Sequence, residues 1–266
     1  MPTVEWVIQK MERWASPTWA ESYDNVGLLV GDRTQPIKKI LVALDASDAV
    51  IEEAIENGCD IIVAHHPIIR DPLKSITAQC AAGRKIIRLI SNGISLYVSH
   101  TNLDKAKGGV NDCLVAELGL KNCVPLIPET FDSEIGIGRV GKLVQETTLG
   151  EFIIHIKKSL ALDDARYSGD LNRKIKKIAV CGGSGMSFLQ HAIDQNCDVY
   201  VTGDIRYHDA AYALEAGLTL VDITHYSSEN IVIPAIISRL AGIAEAEQQP
   251  LSFMASNVNG QTFQTL

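Results

Sequence analysis

Apolar residues along this chain fall in short continuous runs, and the runs repeat. Residues 38–71 (KKILVALDASDAVIEEAIENGCDIIVAHHPIIRD) align without a gap onto residues 176–209 (KKIAVCGGSGMSFLQHAIDQNCDVYVTGDIRYHD), at an offset of 138. Lys38, Lys39, Ile40, Val42, Ala54, Ile55, Cys59, Asp60, Val63 and Asp71 all recur in the second stretch. Each copy predicts a strand (Ile40–Leu44; Ile178–Cys181), a turn of small residues, a helix (Ala49–Asn57; Ser187–Gln195) and a second strand (Ile61–Ala64; Val199–Thr202). Uninterrupted apolar strands of this length suit a parallel sheet covered on both faces, so each copy reads as a βαβ unit.

The likeness resumes further on. Gly93-Ile-Ser-Leu-Tyr-Val-Ser-His100 resembles Gly217-Leu-Thr-Leu-Val-Asp-Ile-Thr-His225, two third strands that end in histidine. Each histidine stands four residues before a carboxylate, Asp104 and Glu229, and a helical pattern follows in both (Val110–Leu118; Ile231–Leu240). The expected fold class is α/β, with two related βαβαβ-type domains from an internal duplication and a metal site at the strand C-terminal ends between them. Residues 125–150 change character. Pro125, Pro128 and the glycine-spaced run Ile135–Gly141 predict a linker followed by edge-strand structure, with a boundary near Pro125. The expected domains are therefore 1–125 with 220–266, and 126–219.

Composition narrows the partners. The chain has 266 residues, 46% of them apolar, and a formal net charge of -8. That balance argues against nucleic acid as the main partner and fits a small-molecule substrate. Six cysteines, at 59, 80, 113, 123, 181 and 197, form no C-x-x-C pair and read as reduced thiols. Met1–Trp14 is amphipathic and charged throughout, unlike a signal peptide, and no uncharged apolar stretch could span a bilayer. A cytoplasmic location is the expectation.

Polar groups gather where ligands sit in open parallel sheets, beyond the strand C-termini. His65 and His66 end the strand Ile61–Ala64, and Pro67 forces the chain out of it. Adjacent strand residues point to opposite faces, so a turn past the strand end is expected to bring both imidazoles to one site. His100 with Asp104, and His225 with Glu229, end the matching third strands. Mixed imidazole and carboxylate donors suit Zn, Mn, Fe, Co or Ni better than Mg or Ca. The same residues also admit plainer readings: a His-His pair can cap a turn, His100 and Asp104 can start a helix, and Asp24-Asn25 can be an Asx turn. Cys181-Gly-Gly-Ser-Gly185 is a weak phosphate-cradle signal. Thr202-Gly-Asp204 and His208 take the place of His65-His66 in the second copy.

Taken together, Ser22-Tyr-Asp-Asn-Val-Gly-Leu-Leu-Val-Gly31, Asp60–Pro67, Ser99-His-Thr-Asn-Leu-Asp104, Gly108–Asn111, Cys181–Gly185, Val201–Asp204 with Tyr207-His208, and His225–Glu229 resemble the GTP cyclohydrolase 1 type 2, or Nif-three-like, family. The resemblance implies two related α/β domains, a toroidal homohexamer and two divalent transition-metal ions. Carried over residue by residue, the ligands fall on His65, His66, Asp104, His225 and Glu229, with Glu229 as the bridge. Where the family often has Gly before the last histidine, this chain has Thr224. The family name implies hydrolysis of GTP to formate and 7,8-dihydroneopterin triphosphate. A metal-bound hydroxide would be the nucleophile, and His100 would be the catalytic proton shuttle. Two other functions fit the same residues: a metal-dependent phosphoesterase or other small-molecule hydrolase, and a metal-binding scaffold without turnover.

Overall fold

The computed structural model describes residues 1–263. In chain order, helix α1 (Val4–Trp14) and strand β1 (Gly27–Val30) precede β2 (Lys39–Asp45), α2 (Asp48–Glu56) and β3 (Ile61–His66). Next come α3 (Ala81–Ser91), β4 (Ser95–Val98), the short α4 (Thr101–Lys105) and α5 (Val110–Glu117). Strands β5 (Lys121–Pro128) and β6 (Gly136–Thr148) lead to α6 (Leu149–Ser159), β7 (Arg166–Tyr167) and β8 (Lys174–Val180). The chain continues through α7 (Leu189–Asp194), β9 (Val199–Thr202), α8 (Tyr207–Glu215) and β10 (Thr219–Asp222), then α9 (His225–Glu229), α10 (Val232–Ala246) and β11 (Ser252–Ala255).

The chain divides into two compact units, Met1–Leu103 with Ile233–Gly260, and Asp104–Val232 rejoined by Gln261. The first is built on a five-stranded sheet in the order β1-β4-β3-β2-β11, parallel except for β1. The second has six strands in the order β5-β6-β8-β9-β10-β7. Strands β8, β9 and β10 are parallel there, while β5, β6 and β7 pair antiparallel with their neighbours. Read from its β7 edge, the second sheet repeats the first: an antiparallel edge strand, then the third, second and first strands of the repeat.

The recurring Lys-Lys and Asp pairs now have a physical cause. Asp60 Oδ2 accepts the backbone N–H of Lys38 (2.6 Å) and Lys39 (2.9 Å), tying the start of β2 to the turn before β3. Asp198 Oδ2 does the same for Lys176 and Lys177, both at 2.8 Å. The second lysine of each pair donates its ammonium to the carbonyl at the end of the following helix, Asn57 or Gln195. An edge of backbone donors is thereby satisfied identically in both halves, which is what a duplicated unit predicts.

Both faces of the second sheet are covered, which explains its continuous apolar strands. Ile178, Val180, Val199 and Val201 face a core with Phe152 and Ile156 of α6. Ala179, Cys181 and Tyr200 face the opposite core with Leu189 and Ala192 of α7. In the first unit Leu41, Ala43, Ile62 and Ala64 pack against Ile51 of α2 and Leu89 of α3. Helix α6 begins with a full capping box: Thr148 Oγ1 accepts from Glu151 N–H, and the Glu151 carboxylate accepts from Thr148 N–H.

The position of the expected linker, Pro125, lies inside β5, paired with Arg139 on β6. Because β5 is the edge of its sheet, a proline there costs no ladder hydrogen bond on its outer side. The helix expected from Ser187 starts instead as a 3-10 turn, Gly185–Phe188. Tyr200 donates to the Gly185 carbonyl and Thr202 Oγ1 accepts its N–H, drawing the chain close to β9 before α7 begins. Among the described residues no helix is long and apolar enough to cross a membrane.

Candidate metal centre

Strand β3 delivers two histidines. His65 and His66 do not lie past the strand end: β3 runs through His66, which is in register with Asp45 of β2. The strand is extended because this pairing keeps the ladder intact up to Pro67, which has no N–H to continue it. His65 is fully buried and His66 partly so, with ring centroids 5.0 Å apart. The ring of His100, between β4 and α4, lies 5.1 Å from that of His65 and 5.4 Å from that of His66. Each of the three offers a ring nitrogen within 4.8 Å of the others.

Every one of these imidazoles is oriented through Nδ1. His65 Nδ1 is 2.9 Å from the Ser99 carbonyl, His66 Nδ1 is 2.9 Å from Asp45 Oδ1, and His100 Nδ1 is 2.8 Å from Asp24 Oδ1. A carbonyl or carboxylate at that distance accepts a hydrogen bond from Nδ1–H, so the proton sits on Nδ1 and the basic lone pair on Nε2. Asp24 is itself locked: Thr101 donates to its Oδ2 from both N–H (3.0 Å) and Oγ1 (2.6 Å). Burial alone would raise the Asp24 pKa, yet the hydrogen bonds from His100 and Thr101 outweigh it and hold the carboxyl well below its ordinary range. Asp24-Asn25 is thus more than a turn. Sequence reasoning passed over Asp24 as His100's partner, although it lay in the quoted Ser22–Gly31 motif.

The second unit carries the other donors. His225 opens α9 and Glu229 closes it, so one helical turn brings His225 Nε2 to 3.0 Å from Glu229 Oε2. His225 Nδ1 is 2.8 Å from Asp204 Oδ2, the same orientation device met three times in the first unit. Glu229 is buried, and one of its carboxylate oxygens lies within 4.8 Å of one of Asp104. Buried Asn111 donates to the Asp104 carbonyl (3.0 Å) and accepts from Gly182 N–H (3.0 Å). It ties the Asp104 backbone to the glycine-rich loop.

That loop now has a role of its own. A Cβ on Gly183 would sit 2.2 Å from Glu229 Oε1 and 3.3 Å from His225 Nε2, and Gly183 adopts φ +64°. Its N–H donates to Ser228 Oγ (2.8 Å), which in turn donates to the His225 carbonyl (2.7 Å). The glycines of Cys181–Gly185 leave room for the side chains of His225 and Glu229, a different task from cradling phosphate. Thr224 meets a similar constraint, with φ 64° and ψ 156°, a region glycine occupies freely and a β-branched residue rarely does. Its hydroxyl compensates by accepting from Ser227 N–H at the start of α9.

The donor chemistry fits divalent transition metals: imidazole Nε2 atoms in a fixed tautomer beside buried carboxylates. Nothing favours a cysteine nucleophile. All six cysteines are free thiols, and burial pushes Cys113 and Cys197 up to about 11, away from the thiolate. His155 Nε2 donates to the Leu118 carbonyl (3.3 Å), a packing contact on α6.

The model of the Duf34/NIF3 (NGG1p interacting factor 3) family matches residues 2–261. A Clostridium perfringens protein named GTP cyclohydrolase 1 type 2 homolog is 43% identical over 250 residues, 94% of each chain. A Staphylococcus aureus hypothetical protein of solved structure superposes with a TM-score of 0.94 at 32% identity, over 100% of both chains. A Bacillus cereus protein related to NIF3 gives a TM-score of 0.94 at 28% identity, over 100% of this chain and 99% of that one. With its duplicated α/β fold and its histidine and carboxylate clusters at the strand ends, the chain belongs to the Duf34/NIF3 family.

Proposed function

We propose that this protein is a dinuclear-metal hydrolase of the GTP cyclohydrolase type, converting GTP and water to formate and 7,8-dihydroneopterin triphosphate. The first unit contributes His65 and His66, the second Asp104, His225 and Glu229, and their joint service to one pair of divalent ions is the proposal. The observation that carries it is the uniform anchoring of Nδ1 in His65, His66, His100 and His225. Histidines that only fill space need no such set of acceptors, whereas metal ligands do. Bound there, the ions would polarise an electrophilic carbon and activate water at neutral pH.

The chain's own residues supply the rest. Asp24 holds His100 with Nε2 as the proton-exchanging atom, so His100 is placed to take a proton from water and return it to a leaving nitrogen. Glu229, buried and next to His225, is suited to bridge two cations. The toroidal homohexamer implied by the resemblance belongs to the same proposal, and light scattering reads its mass.

The test is formate release from GTP by protein reconstituted with Zn, Mn, Fe, Co or Ni. Wild type should release formate stoichiometrically with dihydroneopterin triphosphate. His100→Gln should retain metal while losing roughly 10²-fold or more in turnover, the usual contribution of a positioned acid–base group. Phosphate release without formate would replace this reading with a phosphoesterase. Full metal occupancy without turnover of either kind would leave the scaffold.

A further inference from the structure

The second unit contains a cleft of about 270 Å³ that the metal centre does not use. Its floor is apolar, from Ile205 and Leu220, and its rim carries Arg166, Tyr167, Arg206 and Tyr207. Two Arg-Tyr pairs from different elements meet there: Arg166-Tyr167 is the edge strand β7, and Arg206-Tyr207 begins α8. The side chains are conspicuously open. Tyr207 is 81% exposed, Tyr167 47%, and the Arg166 and Arg206 side chains 75% and 82%.

Folding does not ask for this arrangement, since exposed tyrosines bury little apolar area. Arg166 donates through Nη2 to Asp222 and to the Ile205 carbonyl, and Arg206 donates through Nε and Nη2 to Asp209. Nε and Nη1 of Arg166, Nη1 of Arg206 and both tyrosine hydroxyls have no hydrogen-bond partner among the described residues. Planar rings beside an apolar floor suit an aromatic group, and guanidinium donors suit a phosphate. The volume sits at the lower edge of small-molecule pockets, which limits the ligand to about the size of one nucleoside monophosphate.

The cleft is wired to His225. Asp222 Oδ2 accepts from Arg166 and from Ile205 N–H (3.3 Å), while its Oδ1 accepts from Thr224 N–H (3.0 Å), the residue before His225. Asp204, which orients His225, directly precedes Ile205.

We propose that this cleft binds a nucleoside monophosphate, with its base against Tyr167 and Tyr207 and its phosphate at Arg166 and Arg206. The inference goes beyond the hydrolase reading and stands without it, because binding requires no metal. The experiment is calorimetric titration of the full chain, stripped of metal with EDTA, with AMP and with GMP. Saturable binding of at least one nucleotide is expected. Adenosine or guanosine alone, and inorganic phosphate alone, should each bind roughly tenfold or more weakly, as should both nucleotides to Arg206→Gln and to Tyr207→Ala. Both substitutions fall on exposed side chains, so thermal melting should match wild type and the loss reads as binding. The proposal is overturned if neither nucleotide binds, or if both variants bind them as wild type does.

Discussion

At Thr224 two local forces oppose one another. A β-branched residue at φ 64° carries strain of about 1–3 kcal/mol, while its hydroxyl caps α9. Replacing a Thr cap by Gly costs only a few tenths of a kcal/mol, and by Ala about 1 kcal/mol. Thr224→Gly should therefore melt at or above the wild-type temperature, and Thr224→Ala below it. The reverse order would show that the strain is not felt. Gly183 offers a cleaner contrast. Gly183→Ala puts a methyl 2.2 Å from Glu229 Oε1, whereas Gly58, at φ +62°, has nothing within 4 Å of its absent Cβ. Both alanines pay a similar backbone cost, roughly 1–2 kcal/mol. Elemental analysis should find metal lost from Gly183→Ala and retained in Gly58→Ala; equal retention would detach the glycine loop from the metal ligands.

Among the elements, α6 carries a pH signature. Hydrogen bonds from Thr147 and then Thr148 lower the Glu151 carboxyl from its ordinary 4.5 to about 2. A carboxyl depressed in the folded state stabilises fully above 4.5 and loses that contribution as pH falls through 2. Urea midpoints of wild type and Glu151→Gln should differ at pH 7 and converge between pH 4.5 and 2. A gap constant across that window would contradict the capping account. Elements were also where the sequence spoke most clearly. The repeat exposed β2-α2-β3 and β8-α7-β9 because burial on both sheet faces writes itself as an apolar run. His65, His66, His100, Asp104, His225 and Glu229 were visible because strand ends and an i,i+4 turn are local. Their partners Asp24, Asp45 and Asp204 were less so. Asp45 meets His66 only through the register of two strands, and Asp24 meets His100 from 76 residues away. Pro125 misled for the converse reason: a proline marks a linker or an edge strand alike, and only pairing decides.

For the molecule as a whole, duplication explains economy of design. One βαβ plan, locked by Asp60 in the first copy and Asp198 in the second, sets histidine and carboxylate donors at strand ends in each unit. The second copy has Gly203 and Asp204 where the first has His65 and His66, and Asp204 orients His225 instead. The first copy thus presents three imidazoles at its strand ends, His65, His66 and His100, and the second one, His225; metal binding by these groups with Asp104 and Glu229 is the proposal. Elemental analysis of purified protein after exhaustive dialysis, wild type beside Glu229→Ala, tests this most directly. Wild type should keep roughly two equivalents of transition metal per chain, as a two-metal site requires, and Glu229→Ala should lose at least one while keeping its fold. A correctly folded wild-type protein that holds no metal after incubation with Zn, Mn, Fe, Co or Ni would contradict the account.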